Sequence, residues 1–132
     1  MQSFMTTFLD AMNEAIGKTT GTIMLDFLAD PAKGMSLAQT ESDQVVRAYI
    51  NGRNICRFTA SLLARGQESK KLDLIGRLAI ATEYVAGLDG GSVGDYGIRS
   101  VTVSTPGLRT RTQDGVCTYG LSLNIEYQEK KQ

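Results

Sequence analysis

Fourteen acidic side chains, fourteen basic ones, two cysteines and no histidine make up the chain's stock of reactive groups. Without histidine the commonest general base is gone, and with it the Ser-His and Cys-His nucleophile pairs and most zinc sites. Carboxylate chemistry is what remains. Asp26 and Asp30 lie four apart, but they fall where a strand runs into a turn, and an aspartate before Pro31 is an ordinary turn residue. We read the pair as structural. Cys56 and Cys117 have no metal-ligand spacing and fall on the apolar faces of expected strands, where a small buried thiol is the default. A disulfide between them would require those strands to be neighbours.

Two further stretches have the composition of phosphate sites. Gly90-Gly91-Ser92-Val93-Gly94-Asp95 is rich in glycine, yet a phosphate cradle needs its glycines to open a helix, with a lysine following in the P-loop version. Here they follow a helix and precede a strand, so a mobile loop spanning Gly87–Gly97 is expected. The segment from Leu108 to Thr112 offers Arg109 and Arg111 at or near a hairpin tip. Sequence-independent phosphate binding usually draws on more charge than this, with aromatics interleaved where single strands are bound. We therefore read a solvated or partner-facing loop, with no specific nucleic-acid partner. No catalytic, cofactor-binding or metal-binding residue emerges, and no enzyme mechanism is expected.

The elements that must position these groups are clearer. From Val116 to Tyr127, Cys117, Tyr119, Leu121, Leu123, Ile125 and Tyr127 fall on one side, and Thr118, Gly120, Ser122, Asn124 and Glu126 on the other. A period of two sorts them cleanly, so this is a long strand with one face buried and one wet. At the other end Phe4, Met5, Phe8, Leu9, Met12 and Ile16 recur at helical spacing, with Ser3 as cap and Gly17 as stop. Thr19 to Leu28 reads as a strand ended by Pro31, and Met35 to Thr40 as a short edge strand. Val45 to Ile50 and Arg53 to Ala64 flank Asn51-Gly52, the strongest short-range hairpin signal, because both turn positions need positive φ. On the second arm Cys56, Phe58, Ala60 and Leu62 share one face, and Arg57, Thr59 and Ser61 the other.

Ser69 to Leu88 reads as a second helix with Leu72, Ile75, Leu78, Ala79 and Val85 as its buried stripe and Gly87 as its stop. Thr82 lies on that stripe and is expected to return its hydroxyl to the carbonyl one turn back. Ile98 to Thr105 is another strand with Val101 and Val103 inward, followed by turn signals at Pro106-Gly107 and Gln113-Asp114-Gly115. The economical assembly is α+β: a two-layer sandwich in which two helices pack on one face of a mainly antiparallel sheet of four to five strands.

At 132 residues the chain is expected to be one domain, residues 1–132, with a single core. Zero net charge gives no sign of bulk nucleic-acid or membrane binding, but the charge is unevenly placed. Residues 1–43 hold six acids against two lysines, while residues 44–77 hold seven bases against Glu68 and Asp73. Copies with separated charge could associate head to tail; the plainer reading is a solvated surface. The opening Met-Gln-Ser-Phe lacks a basic region, so no signal peptide is expected, and no run reaches the length of a membrane span. The expected location is cytosolic.

Three local patterns resemble a known family. They are Met24-Leu25-Asp26-Phe27-Leu28 before a proline-bearing loop, the Tyr49-Ile50-Asn51-Gly52 turn leading to Cys56-Arg57-Phe58, and Gln113-Asp114-Gly115 opening a terminal strand that ends Asn124-Ile125-Glu126-Tyr127. In element order and length the chain resembles the small tail-terminator, or "minor capsid", proteins of long-tailed bacteriophages and prophages of Gram-positive bacteria. The resemblance implies an α+β fold, no catalytic residues, no cofactor, and a ring of six subunits that caps the tail tube and joins it to the head. It further implies the major tail protein and a head-completion protein as partners. The expected places are then the host cytoplasm during assembly and the virion's head–tail junction. The main rival is a small-molecule ligand-binding domain or enzyme of the same two-layer shape; a nucleic-acid-binding accessory domain is a third reading.

Overall fold

The computed structural model describes residues 4–25, 34–48 and 54–129. They form helices α1 (Phe4–Thr20) and α2 (Lys71–Ala86) and strands β1 (Ile23–Leu25), β2 (Gly34–Ala48), β3 (Asn54–Gln67), β4 (Ser92–Val93), β5 (Tyr96–Val103), β6 (Gly107–Arg111) and β7 (Val116–Glu129). The strands make one sheet in the order β1-β2-β3-β7-β5-β4, with β6 also on β7. Only β1–β2 is parallel. The sheet therefore has seven strands rather than four to five. The excess comes from two short pieces, β4 and β6. β5 and β6 lie on the same edge of β7 and are separated by residues 104–106, where Ser104 donates its amide to the Ser122 carbonyl at 2.9 Å and its hydroxyl accepts from the Ser122 amide at 2.8 Å.

The terminal strand follows its alternation. Cys117, Tyr119, Leu121, Leu123, Ile125 and Tyr127 are all buried in the main core, and β3 supplies Phe58, Ala60, Leu62 and Ala64 to the same face. Both helices cover that face. Phe4, Phe8, Leu9 and Met12 of α1 are buried, and Phe4 stacks on Tyr127 with centroids 4.0 Å apart while meeting Phe58 and Tyr96 edge-on. Such aromatic pairs add to burial through their quadrupoles, and this cluster ties the start of α1 to three strands.

Several expectations change. α1 passes through Gly17 and ends only before Gly21, whose φ of 85° is the left-handed turn that glycine allows. The helix therefore takes Thr19 and Thr20 from the expected first strand, leaving Ile23–Leu25. Asn13 then holds β1: its amide group donates to the Ile23 carbonyl at 3.0 Å, and its side-chain oxygen accepts from the Ile23 amide at 2.7 Å. The two pieces expected at Met35–Thr40 and Val45–Ile50 are one strand, β2, carried across three register shifts against β3. The Asn51-Gly52 turn, Ser3, Asp26, Asp30 and Pro31 lie outside the described residues; β2 and β3 do pair antiparallel up to Ala48 and Asn54.

The buried stripe of α2 is Leu74, Leu78, Ala81 and Val85, whereas Leu72 is 83 % exposed and Ala79 is exposed. The helix is rotated from the expected phase because Leu74 packs on β3, where a Cβ on Gly66 would lie 3.1 Å from Leu74 Cδ2. Thr82 does return its hydroxyl to the Leu78 carbonyl, at 2.8 Å. The glycine-rich stretch after α2 is bonded into the sheet: Gly90 donates to the Ile98 carbonyl at 3.2 Å, Ile98 to that of Gly91 at 2.9 Å, and Ser92–Val93 pair with β5. Its backbone bonds make it a pair of turns around β4.

Cys56 and Cys117 form no disulfide. Their strands are neighbours, yet Cys56 faces Tyr127 while Cys117 faces Gly66, so they sit ten positions apart, roughly 33 Å at 3.3 Å per residue. No disulfide can span that distance. Among the described residues no helix is long and apolar enough to cross a membrane.

Candidate functional site

Among the described residues no helix covers the second face of the sheet, and its polar side chains pair across strands. Arg57 and Glu126 are register partners joined by a 3.1 Å ion pair. In the next pair along this face, the Thr59 hydroxyl donates to Asn124 Oδ1 at 2.8 Å, and further on Arg65 Nε donates to the Thr118 hydroxyl at 2.8 Å. Between them Gly120 lets Leu63 lie flat on the sheet: a Cβ at Gly120 would come within 2.5 Å of Leu63 Cδ2. Each such pair contributes a few tenths to about 1 kcal/mol, so the row fixes register more than stability.

β5 extends the row to a third strand. Ser100 faces Glu126 and Thr102 faces Asn124, while a register shift between Ile98 and Ser100 leaves Arg99 as an extra residue. A bulge of this kind re-aims a side chain. Here it brings Arg99 to the rim of an open hollow of about 370 Å³ lined by Val46, Ile55, Arg57, Arg99, Ser100 and Glu126. A smaller hollow of about 230 Å³ continues along Arg57, Ser100, Thr102, Asn124 and Glu126. Arg109 joins the same face from β6, donating to the Ser122 hydroxyl at 3.3 Å. On β3, β5, β6 and β7 this face carries four arginines (Arg57, Arg65, Arg99 and Arg109) and one carboxylate, Glu126, while Glu41 of β2 stands in register with Thr59 of the same face.

The groups singled out in the sequence are not brought together. Arg109 and Arg111 belong to strand β6, which runs into the hairpin tip. A register shift between Leu108 and Thr110 precedes Arg111, which faces Cys117 and pairs with Glu68 in the 3-10 turn before α2. The tip itself is residues 112–115, closed by Thr112 donating to the Val116 carbonyl at 2.9 Å. In the glycine-rich turn the amides of Gly90 and Gly91 donate to the carbonyls of Ile98 and Leu88, so the N–H groups that would cradle a phosphate are already used. Among the described residues no group of three or more His, Cys, Asp or Glu is placed to hold a metal ion. The row built on Arg57, Asn124 and Glu126 could be sensed from alternation, but which residue faces which depends on register, and a single strand does not encode that.

Tyr84, half-buried on α2, has its phenol pushed above the ordinary value, first by burial and then by the nearby charge of Glu14 on α1. This places Glu14 beside the second half of α2, as expected for two antiparallel helices. At their other end, a Cβ on Gly21 would lie 3.9 Å from the Arg77 guanidinium.

A two-layer α+β domain with one polar, helix-free sheet face is the class of protein these elements define. No protein-family model and no curated protein sequence matches the chain. Its fold is similar to that of a chain in the virion of a native gene transfer agent particle, with a TM-score of 0.65 at 10 % sequence identity, covering 91 % of each chain. At that identity the likeness is one of fold.

Proposed function

We propose that this protein is a structural component of a phage-like particle, a tail terminator that caps the tail tube and joins it to the head as a ring of six copies. The observation that carries the reading is the fold likeness to a chain of a gene transfer agent virion, which runs over 91 % of both chains. The element order of the phage tail-terminator proteins points the same way. On this reading the protein acts by assembling and has no turnover. Its partners are its own copies, the major tail protein and a head-completion protein, met in the host cytoplasm and retained in the virion.

A ring subunit needs a surface held rigid without a covering layer, and the cross-strand pairs from Arg57–Glu126 to Arg65–Thr118 supply one. The rival, a small-molecule-binding domain, has the open hollow beside Arg57 and Arg99 in its favour. Mass under native conditions, measured against concentration, separates the two, as does electron microscopy of particles produced without the protein. Rings, together with tails of abnormal length or tails detached from heads, are expected. A strict monomer at high concentration, or normal tails firmly joined to heads in its absence, would overturn the reading.

A further inference from the structure

We infer that the helix-free face of the sheet is the seat for the helix layer of a second copy of this chain, with acids at one corner of that layer meeting the arginines of the face. The inference rests on the assembling role proposed above and names the two surfaces that meet.

The first surface is the face on which β3, β5, β6 and β7 carry Arg57, Arg65, Arg99 and Arg109 against Glu126, with Glu41 of β2 in register with Thr59. Arg57 is committed to Glu126 at 3.1 Å and Arg109 to the Ser122 hydroxyl at 3.3 Å. Arg99, put on the rim by the bulge in β5, is exposed and has no ion-pair partner among the described residues. Arg57 and Arg99 line the open hollow, so this part of the face is suited to receive a carboxylate projecting from a convex surface.

The second surface lies on the opposite layer. Asp10 and Glu14 are exposed one turn apart on α1, Glu83 is exposed on α2, and Asp89 and Asp95 are exposed in the turns that follow it. These five acids share a corner. Glu14 acts on Tyr84, next to Glu83, and the β4–β5 turn approaches α1 so closely that a Cβ on Gly94 would come within 2.7 Å of Thr7 Cγ2. The cations of the two helices lie towards the other end: Lys18 in the last turn of α1, and Lys71 and Arg77 in the first half of α2. Arg77 is in any case paired with Asp73 at 3.1 Å.

The geometry of the contact follows from where the surfaces sit. They are different patches on opposite layers, so one copy's helix layer meets the next copy's sheet and the contact cannot be self-complementary about a two-fold axis. A heterologous contact repeated with a fixed rotation closes into a ring or runs on as a filament. Opposite potentials also steer the encounter and penalise the two like-charged arrangements, sheet on sheet and helix corner on helix corner.

The test is a charge exchange. Arg99→Glu with Arg109→Glu makes one chain acidic on both surfaces, and Glu14→Lys, Glu83→Lys and Asp89→Lys together make another basic on both. All five positions are exposed, and circular dichroism with a melting curve confirms that each variant is folded. Arg99→Gln and Glu83→Gln serve as milder versions. Sedimentation at low salt should show each exchanged chain associating about tenfold or more weakly than the unaltered protein, with the Gln variants shifted less in the same direction. Mixing the two exchanged chains should restore assemblies that contain both. Exchanged chains that assemble as well as the unaltered protein, or a mixture that fails to recover, would overturn this pairing and leave the assembling role intact. An unaltered chain that stays monomeric would overturn the role itself and this inference with it.

Discussion

The two faces of the sheet are made by the same residues of chain, one position apart, and they solve different problems. On the covered face, Leu121, Leu123 and Ile125 of β7 lie under α1 and α2 with at most 1 % of their surface exposed. On the uncovered face, Gly120, Asn124 and Glu126 meet polar or flat-lying partners in register on β3. The first face gains free energy from area removed from water, about 25 cal/mol per Å² of apolar surface. The second gains little in energy and much in definition, because each pair is satisfied at only one register. Stability and surface shape are thus assigned to opposite sides of one strand.

The largest break in that comparison should come from moving a charge across it. Leu123→Asp buries an unpaired carboxylate in the core and should cost several kcal/mol, about 3–5, while Asn124→Asp, one residue on, keeps an acceptor for the Thr59 hydroxyl and should cost under about 1. Chemical denaturation of the two variants checks this, and equal losses would show the faces to be wrongly assigned. Next in size is the helix side of the covered face. Leu74→Ala should lose about 2–4 kcal/mol and Leu72→Ala close to nothing, since Leu74 is 3 % exposed and Leu72 83 %.

On the uncovered face, Gly120→Ala forces its new methyl into Leu63 and should cost about 1–2 kcal/mol. Pairing it with Leu63→Ala should recover part of that loss, which a double-mutant cycle would read as coupling. The smallest effect is one of pH. The Tyr84 phenol is raised in the folded state, so the protein gains stability from its neutral form below the ordinary phenol range and loses that gain as pH climbs through it. Tyr84→Phe should therefore flatten the decline in melting temperature at strongly alkaline pH and change little at neutrality.

Much of the covered face was legible beforehand because burial follows local periodicity. The alternation from Cys117 to Tyr127 and the stripe from Phe4 to Met12 both hold. Periodicity misled where two phases were equally apolar: on α2 either Leu72 or Leu74 could have faced inward, and only the space above Gly66 decides between them. It also misled at Gly17, since a glycine weakens a helix without ending one when the flanking turns are anchored. The uncovered face was harder to read. That Arg57, Thr59, Asn124 and Glu126 point away from the core follows from alternation, but that they meet in pairs, and that a bulge lifts Arg99 to join them, depends on strands far apart in sequence. No spacing within a single strand carries that information.

Asn13 has a consequence beyond holding α1 to the sheet. Both of its bonds go to the backbone of Ile23, at the end of the sheet's strand order where a further strand would attach. One side chain thus imitates the amide of an incoming chain and fills its place. An open sheet edge invites indiscriminate growth and clumping, and on the assembling role proposed above a subunit held at high concentration would be especially exposed to that hazard. Plugging this stretch of the edge from within the same molecule makes β1 a poor template for stray strands, and so leaves association to surfaces that can distinguish one orientation from another.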